Sequence, residues 1–317
     1  MRFRFAFAVF GFCGVLAAFS SCSVNKMAVK AVADALSGDG GGAVFTGDAD
    51  PELVADALPF AIKLYEALLS MQSDHQGLIL STGSLFVMYA NAFVQGPAEM
   101  LPPEEYFERE RRLDRARKLY LRGAEILEGG LEKKHRGWGE AYAAGVQSFY
   151  LAKLKKEDVP LIYWHSAGLL AAYALNPFDL DLGMRIPELT AAIARAYELD
   201  PDFNAGALDD FYVLFYASVP EGLGGDPSRV AVHYRRALEK SGGNSAGPYV
   251  SYAQAVCVPA QDSEAFRTCL EAALAVDIEQ DPDNRLANIL SQRKARYLLN
   301  QAPDFFADLD YDTWETW

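Results

Sequence analysis

Helical segments separated by proline and glycine fill most of this chain, and this pattern constrains the fold more than any other feature. Apolar residues recur at the spacing of amphipathic helices, and almost no segment alternates as a strand does. Asp226-Pro227 has the residues that begin a helix, and Gly242-Gly243 has those that end one. The predicted helices are 52–70, 78–94, 104–128, 138–155, 160–175, 187–199, 204–217, 227–241, 247–257, 262–276 and 284–300. The predicted fold class is therefore all-α, an array of about eleven antiparallel helices.

The array is predicted to contain a degenerate helical repeat. Ala196, Ala237 and Ala273 occupy equivalent places near the ends of three helices, 41 and 36 residues apart. This spacing is close to the period of about 34 residues in tetratricopeptide repeats. Trp164 and Gly168 match the tryptophan and glycine places of a first helix in such a repeat, where glycine lets the partner helix approach closely. We therefore expect a tetratricopeptide-like array with irregular repeat lengths.

The N-terminus has the layout of an export signal. Arg2 and Arg4 precede fifteen uncharged residues, and Ser20-Ser21-Cys22 follows. Two small residues directly before a cysteine resemble the lipobox of bacterial lipoproteins. An ordinary signal peptide with an incidental cysteine is the alternative. We predict a lipoprotein signal peptide over residues 1–21 and lipidation of Cys22, whose acyl chains would hold the protein at a membrane.

The segments on either side of the helical domain are predicted to differ from it. Residues 22–50 are poor in aromatic side chains and rich in glycine, a composition typical of a flexible tether. The helical domain is expected to span residues 51–303. Residues 304–317 combine aromatic and acidic side chains, which predicts either a docking segment over the array or a disordered tail.

The net charge excludes one class of partner. The formal charge is −14, and removal of Arg2 and Arg4 with the signal would bring it to −16. A surface this acidic repels phosphate backbones, so we expect no nucleic-acid partner. The one dense basic run is predicted to lie on a single helix and consists of Arg109, Arg111, Arg112, Arg115, Arg117 and Lys118.

No pattern in the sequence indicates catalysis or a cofactor. The four histidines are scattered, with no two at the spacing of metal ligands on one helix. Gly243-Asn244-Ser245-Ala246-Gly247 matches the Gly-x-Ser-x-Gly pattern of hydrolase nucleophiles, but an all-helical chain lacks the strand that precedes the serine in such enzymes. Because helical-repeat proteins usually bind rather than catalyse, we expect a protein that is not an enzyme, with no catalytic residues, no metal and no cofactor.

Six segments of the helical region can be compared as a set with known families. They are Gly137–Tyr142, Leu175–Pro177, Phe215–Ser218, Gly222–Asp226, Tyr249–Ala253 and Asn284–Asn288. As a set they resemble the T-component of tripartite ATP-independent periplasmic (TRAP) transporters, over residues 51–303. The resemblance implies a lipid-anchored tetratricopeptide protein on the periplasmic face of a cell membrane. It also implies binding to the transporter's solute-binding protein and association as a homo-oligomer, expected to be a trimer. The alternative is a general tetratricopeptide scaffold lipoprotein in envelope assembly.

A cluster of aromatic residues is the candidate binding site. In tetratricopeptide repeats the first helix of each pair lines the concave face, and transferring those places to this chain selects two sets of side chains. The selected residues are His165, Leu169 and Tyr173 in one set and Tyr212, Phe215 and Tyr216 in the other, with Asp209 beside them. An apolar groove with a few polar groups suits a small hydrophobic solute or a segment of a partner. The alternative is that these aromatics pack the core, since helical spacing buries a stripe in any bundle.

Two smaller sets of side chains are also candidates for a functional role. Cys257 and Cys269 are predicted to lie on neighbouring helices, and an exported compartment permits a disulfide between them. Two buried thiols are the alternative. Arg285, Asn288 and Arg293 form a polar stripe on the last helix. This stripe is predicted either to hold neighbouring carboxylates or to dock a partner or another subunit.

Overall fold

The computed structural model describes residues 30–143, 147–312 and 314, and every regular element within them is helical. The main helices are α1 Asp39–Thr46, α2 Pro51–Met71, α3 Gln76–Tyr89, α4 Tyr106–Lys134, α5 Trp138–Ala143, α6 Gln147–Leu151, α7 Val159–Leu175, α8 Leu180–Leu199, α9 Ala207–Ser218, α10 Pro227–Lys240, α11 Gly247–Tyr252, α12 Ser263–Ala275, α13 Arg285–Asn300 and α14 Ala302–Phe305. The all-α prediction is confirmed, while the tetratricopeptide arrangement stays a prediction. The predicted helix 138–155 corresponds to α5 and α6.

Local sequence explains where several of these helices begin and end. The Asp50 carboxylate accepts a hydrogen bond from the backbone amide of Leu53 at 3.0 Å, and Pro51 follows as the first helical residue of α2. Asp226 caps α10 in the same way, as its sequence predicts. Gly242 and Gly243 follow α10 with φ of 61° and 77°, a conformation that side-chain-bearing residues rarely adopt.

Two helices continue through a π-helical turn. The turn Ala90–Gln95 extends α3 into the short helix Gly96–Glu99, and the turn Ala253–Cys257 extends α11. A π-helical turn contains an extra residue and so rotates the side chains that follow it around the helix axis. Residues Gln76–Glu99 are long and apolar enough to cross a membrane by composition, but half of their most apolar window is buried and the segment packs against α2, α4 and α7.

The centre of the array is a close contact between α3, α4 and α7. A Cβ atom added at Gly123 of α4 would lie 2.7 Å from the Gly83 carbonyl oxygen of α3. A Cβ atom added at Gly168 of α7 would lie 3.2 Å from the Tyr120 carbonyl oxygen of α4. The close helix approach predicted at Gly168 is therefore present, and glycine makes it sterically accessible.

The last long helix returns to the beginning of the array. The helix α13 contacts both α1 and α2. Its Leu286 is buried in a cluster with Val54 and Leu58 of α2 and Leu78 of α3. The two ends of the helical region therefore share one hydrophobic core.

The segment predicted as a flexible tether is helical over residues 30–37 and 39–46 of its described part. Residues 30–37 form a helical segment whose Ala33 is fully buried beside Val54 and Leu58. The helix α1 follows and contacts α13. The prediction of a flexible segment is therefore wrong for residues 30–47, because a few apolar side chains outweigh the glycine-rich composition.

The described part of the C-terminal tail docks on the array. Phe306 is buried against Phe266 of α12, with ring centroids 4.9 Å apart. The indole nitrogen of Trp314 donates a hydrogen bond to the Leu299 carbonyl oxygen at 2.7 Å. Of the two alternatives for residues 304–317, the docking segment is the one present up to residue 312 and at residue 314.

Candidate functional site

The aromatic cluster predicted to line a groove is buried. Its buried residues are Tyr212, Phe215 and Tyr216 on α9 and His165, Leu169 and Tyr173 on α7. The His233 ring of α10 covers the cluster, at centroid distances of 4.7 Å from Tyr212 and 5.5 Å from Tyr216. The prediction of an accessible groove is therefore wrong for these residues. The physical reason is that α10 packs over the face of α9 that the repeat pattern assigned to a concave surface, while α4 and α8 pack against α7.

Asp209 is the polar centre of this buried cluster. Its carboxylate is fully buried and lies 2.7 Å from His233 Nδ1 and 2.7 Å from Lys240 Nζ. The Tyr197 hydroxyl donates a further hydrogen bond at 3.0 Å. Burial alone would raise the pKa of Asp209, but the hydrogen bonds from His233 and Lys240 outweigh burial and lower that pKa below its ordinary value. The network ties α8, α9 and α10 together.

The neighbouring Asp210 has the opposite environment. Its Oδ1 atom is buried and has no hydrogen-bond partner among the described residues. Burial raises the pKa of Asp210 to about 6, and the hydrogen bond with Ser251 opposes that rise without cancelling it. A carboxylate in this position is costly to ionise.

His165 belongs to a second buried polar network. Its Nε2 atom lies 3.9 Å from the Glu128 carboxylate of α4, which also accepts a hydrogen bond from Arg185 of α8 at 2.9 Å. Burial raises the pKa of Glu128, but His165 and Arg185 outweigh it and bring that pKa to about 2. His165 therefore contributes to packing of α7 against α4 and α8.

The polar stripe of α13 makes contacts within the chain. Arg285 donates a hydrogen bond to the Gly47 carbonyl oxygen at 2.9 Å, and Arg293 binds the Glu52 carboxylate. Asn288 is fully buried, and its side chain bonds the amide of Ala246 and the carbonyl of Asn244, each at 2.9 Å. The partner-docking alternative is therefore wrong for Asn288. The stripe instead joins the last helix to the first ones and to the loop before α11.

Cys257 and Cys269 are two free, buried thiols and are not joined by a disulfide. The Cys269 sulfur also lies 3.8 Å from the Tyr234 hydroxyl oxygen. The hydrogen bond with Cys257 lowers the pKa of Cys269 below its ordinary value, and the Tyr234 hydroxyl adds to the effect. Of the two outcomes considered from the sequence, a disulfide or two buried thiols, the structure has the two buried thiols.

A basic surface cavity is a feature that the sequence did not predict as a site. It has a volume of about 280 Å³ and is lined by Phe93, Val94, Arg111, Arg112 and Arg115. The apolar residues belong to the π-helical turn Ala90–Gln95, and the three arginines belong to α4. The sequence showed the basic run, and the spacing of four residues from Arg111 to Arg115 and three from Arg112 to Arg115 was the signal that these side chains share a face.

An apolar surface patch lies where α7 connects to α8. Phe178, Leu180 and Met184 are 91%, 81% and 73% exposed. Leu180 and Met184 are one helical turn apart on α8, and Phe178 lies just before them. Contiguous exposed apolar side chains typically mark an interaction surface.

The predicted lipid-attachment site lies outside the described residues. Cys22 and the signal peptide over residues 1–21 precede residue 30, where the described chain begins. Their assignment therefore rests on the sequence alone.

The described residues form an all-helical protein. The residues predicted to line a groove are buried in its interior, and the accessible candidate sites lie on its outer surface. The chain belongs to the TRAP transporter T-component family, whose family model matches residues 47–306. This membership indicates an accessory component of a TRAP transporter, at a membrane and on its periplasmic side. The resemblance seen in the sequence is confirmed.

One similar protein comes from Treponema pallidum (strain Nichols). It is described as an uncharacterised protein and is 37% identical over 268 residues. The similarity covers 84% of this chain and 83% of the relative. The likeness therefore extends over most of both chains.

Proposed function

We propose that this protein binds the solute-binding protein of a TRAP transporter and holds it at the membrane, without catalysing a reaction. The observation that carries the proposal is the family match over residues 47–306, which spans the helices from α2 to α14. The interior of that array is filled by the aromatic cluster and its Asp209 network. A protein partner would accordingly bind the outer surface.

The apolar patch of Phe178, Leu180 and Met184 is the surface proposed for this partner. These residues are among the most exposed large apolar side chains of the described chain. Covering them removes apolar area from water, which is the main favourable contribution at the centre of most protein interfaces. A small hydrophobic solute would need a site other than the aromatic cluster, because that cluster is buried.

The proposal includes a lipid anchor at Cys22 and association as a homotrimer. Residue 30 follows Cys22 by eight residues. A fully extended chain of that length spans at most roughly 28 Å, so the anchor would keep the array close to the membrane surface. Replacement of Cys22 by serine should release the protein from membranes and remove the acyl mass seen in a mass spectrum of the intact protein.

Sedimentation velocity tests the partner and the oligomer together. The full-length protein is measured alone and mixed with the solute-binding protein of a TRAP transporter from the same organism. We expect a stable oligomer that takes up the solute-binding protein, and loss of uptake when Phe178, Leu180 and Met184 are replaced by serine. Exposed Phe60 and Leu64 on α2 provide the matched control, since their replacement by serine should leave uptake unchanged. A monomer that does not bind the solute-binding protein would favour the alternative function, a general scaffold lipoprotein in envelope assembly.

A further inference from the structure

We propose that the cavity between the π-helical turn Ala90–Gln95 and α4 binds a small organic phosphate. Three guanidinium groups, of Arg111, Arg112 and Arg115, line the same space of about 280 Å³. The whole chain carries a formal charge of −14, so this concentration of positive charge contrasts with the rest of the surface. The inference does not depend on the partner proposed above.

The charges around the cavity leave two positive charges uncompensated. Glu108 accepts hydrogen bonds from Arg111 at 2.7 Å and from Arg112 at 2.6 Å, so one carboxylate serves two guanidinium groups. Arg115 has no carboxylate partner among the described residues, and its guanidinium lies 5.7 Å from the centre of the Tyr89 ring. Three arginines and one glutamate sum to +2. A phosphate monoester, with a charge of about −1.5 to −2 near neutral pH, matches this sum better than a monocarboxylate does.

The geometry of the arginines also suits an oxyanion. Arg111 and Arg115 are four residues apart on α4 and Arg112 and Arg115 are three apart, so all three project from one side of the helix. A planar guanidinium donates two parallel hydrogen bonds to a phosphate, which a lysine cannot reproduce. Arg111 and Arg115 are exposed and able to turn toward a ligand without losing a buried contact.

The wall of the cavity opposite the arginines is apolar, and this favours an organic phosphate over inorganic phosphate. Phe93 and Val94 face the arginines across the cavity, and Phe93 packs against Tyr89 with ring centroids 6.1 Å apart. An apolar or aromatic group attached to the phosphate would lie against these side chains and gain from leaving water. The π-helical turn places both residues here, and such turns are frequent at binding sites.

Calorimetric titration of the full-length protein at low salt tests this site. The probes are phenyl phosphate, inorganic phosphate and benzoate, each at about millimolar concentration, where a small ligand in an open site is expected to bind. We expect phenyl phosphate to bind most tightly, inorganic phosphate less tightly because it lacks the ring, and benzoate least because it carries one charge. Equal affinity for benzoate and phenyl phosphate would contradict the charge match, and no binding of phenyl phosphate would overturn the site.

Variants of α4 locate the binding. Arg115→Gln should weaken phenyl phosphate binding about tenfold, as expected for loss of one charge-assisted contact. Arg115→Lys should bind phenyl phosphate more tightly than Arg115→Gln but less tightly than the unchanged protein. Lysine keeps the positive charge but lacks the planar guanidinium that donates two parallel hydrogen bonds. The matched control is Arg109→Gln, which removes an exposed arginine of the same helix that does not line the cavity. Equal weakening by Arg109→Gln and Arg115→Gln would show a general charge effect and overturn the proposal. Circular dichroism of each variant checks that α4 remains folded.

Discussion

Arg293 of α13 donates two hydrogen bonds to the carboxylate of Glu52 at the start of α2, at 2.6 Å and 3.1 Å, although 241 residues separate them in sequence. Beneath this exposed ion pair, Leu286 of α13 is buried among apolar side chains of α2 and α3. The contact therefore has a polar rim and an apolar centre. An open solenoid has no such contact, since each repeat touches only its neighbours.

The two parts of this contact should differ in their effect on stability. Leu286→Ala removes a buried side chain and is expected to lower the free energy of unfolding by about 2–5 kcal/mol. Arg293→Ala removes a solvent-exposed ion pair, which is screened by water and salt, and should leave the urea midpoint nearly unchanged. Urea denaturation followed by circular dichroism measures both variants. A larger loss of unfolding free energy with Arg293→Ala than with Leu286→Ala would contradict the view that the apolar centre, and not the ion pair, stabilises this contact.

Burial of the aromatic cluster gives a second prediction. Phe215→Ala should lower the free energy of unfolding by about 3–5 kcal/mol, because the ring is fully buried and leaves a cavity. The neighbouring Leu214 is 42% exposed, and Leu214→Ala should cost less than about 1 kcal/mol. Thermal unfolding compares the two. If the cluster formed an open groove, the Phe215 variant would instead melt close to the unchanged protein.

Two glycines of α4 provide a matched test of helix packing. A Cβ atom at Gly123 would lie 2.7 Å from the Gly83 carbonyl oxygen, so Gly123→Ala forces α3 and α4 apart and should cost about 1–3 kcal/mol. A Cβ atom at Gly129 meets nothing within 4 Å, so Gly129→Ala should stabilise the helix by about 0.5–1 kcal/mol. Opposite shifts of the melting temperature are expected. Shifts of the same sign would mean that the close approach does not control stability here.

Asp210 predicts a pH dependence of stability. Its pKa in the folded protein is about 6, above the ordinary value of 3.8, so the folded state binds the proton more tightly than the unfolded state. This carboxylate therefore destabilises the fold above pH 6, and the penalty disappears as the pH falls toward 4. Asp210→Asn should stabilise the protein by roughly 3 kcal/mol at pH 7.5 and by only about 0.5 kcal/mol near pH 4. The difference in unfolding free energy between the two proteins, measured across this range, isolates Asp210 from other carboxylates. A constant difference would show that Asp210 does not carry the shifted pKa.

Much of the fold could be predicted because helix signals are local. Proline after Asp50 and Asp226 begins α2 and α10, and both begin within a residue of the predicted position. The close approach at Gly168 was also predictable, since glycine in an apolar helix favours contact with a neighbour. These features depend on residues near one another in the chain.

Which side chains are buried and which form a surface site was harder to predict, because this depends on which helix covers which face of its neighbour. The spacing of Tyr212, Phe215 and Tyr216 shows that they share a face of α9, but not that His233 and Arg229 of α10 lie over it. Composition failed at Ala33 for a similar reason, since its burial depends on α2 rather than on its own neighbours. The charge of the basic run was visible in the sequence, whereas the wall opposite it, formed by Phe93, was not.

The contact between the first and last helices also sets an order for folding. The core around Val54 and Leu58 is incomplete until Leu286 arrives, so α2 reaches its native environment only after α13 has been synthesised. A chain cut before α13 would expose this core and should aggregate or be degraded. The N-terminal half of the molecule is thus stable only in chains whose C-terminal helices have been completed.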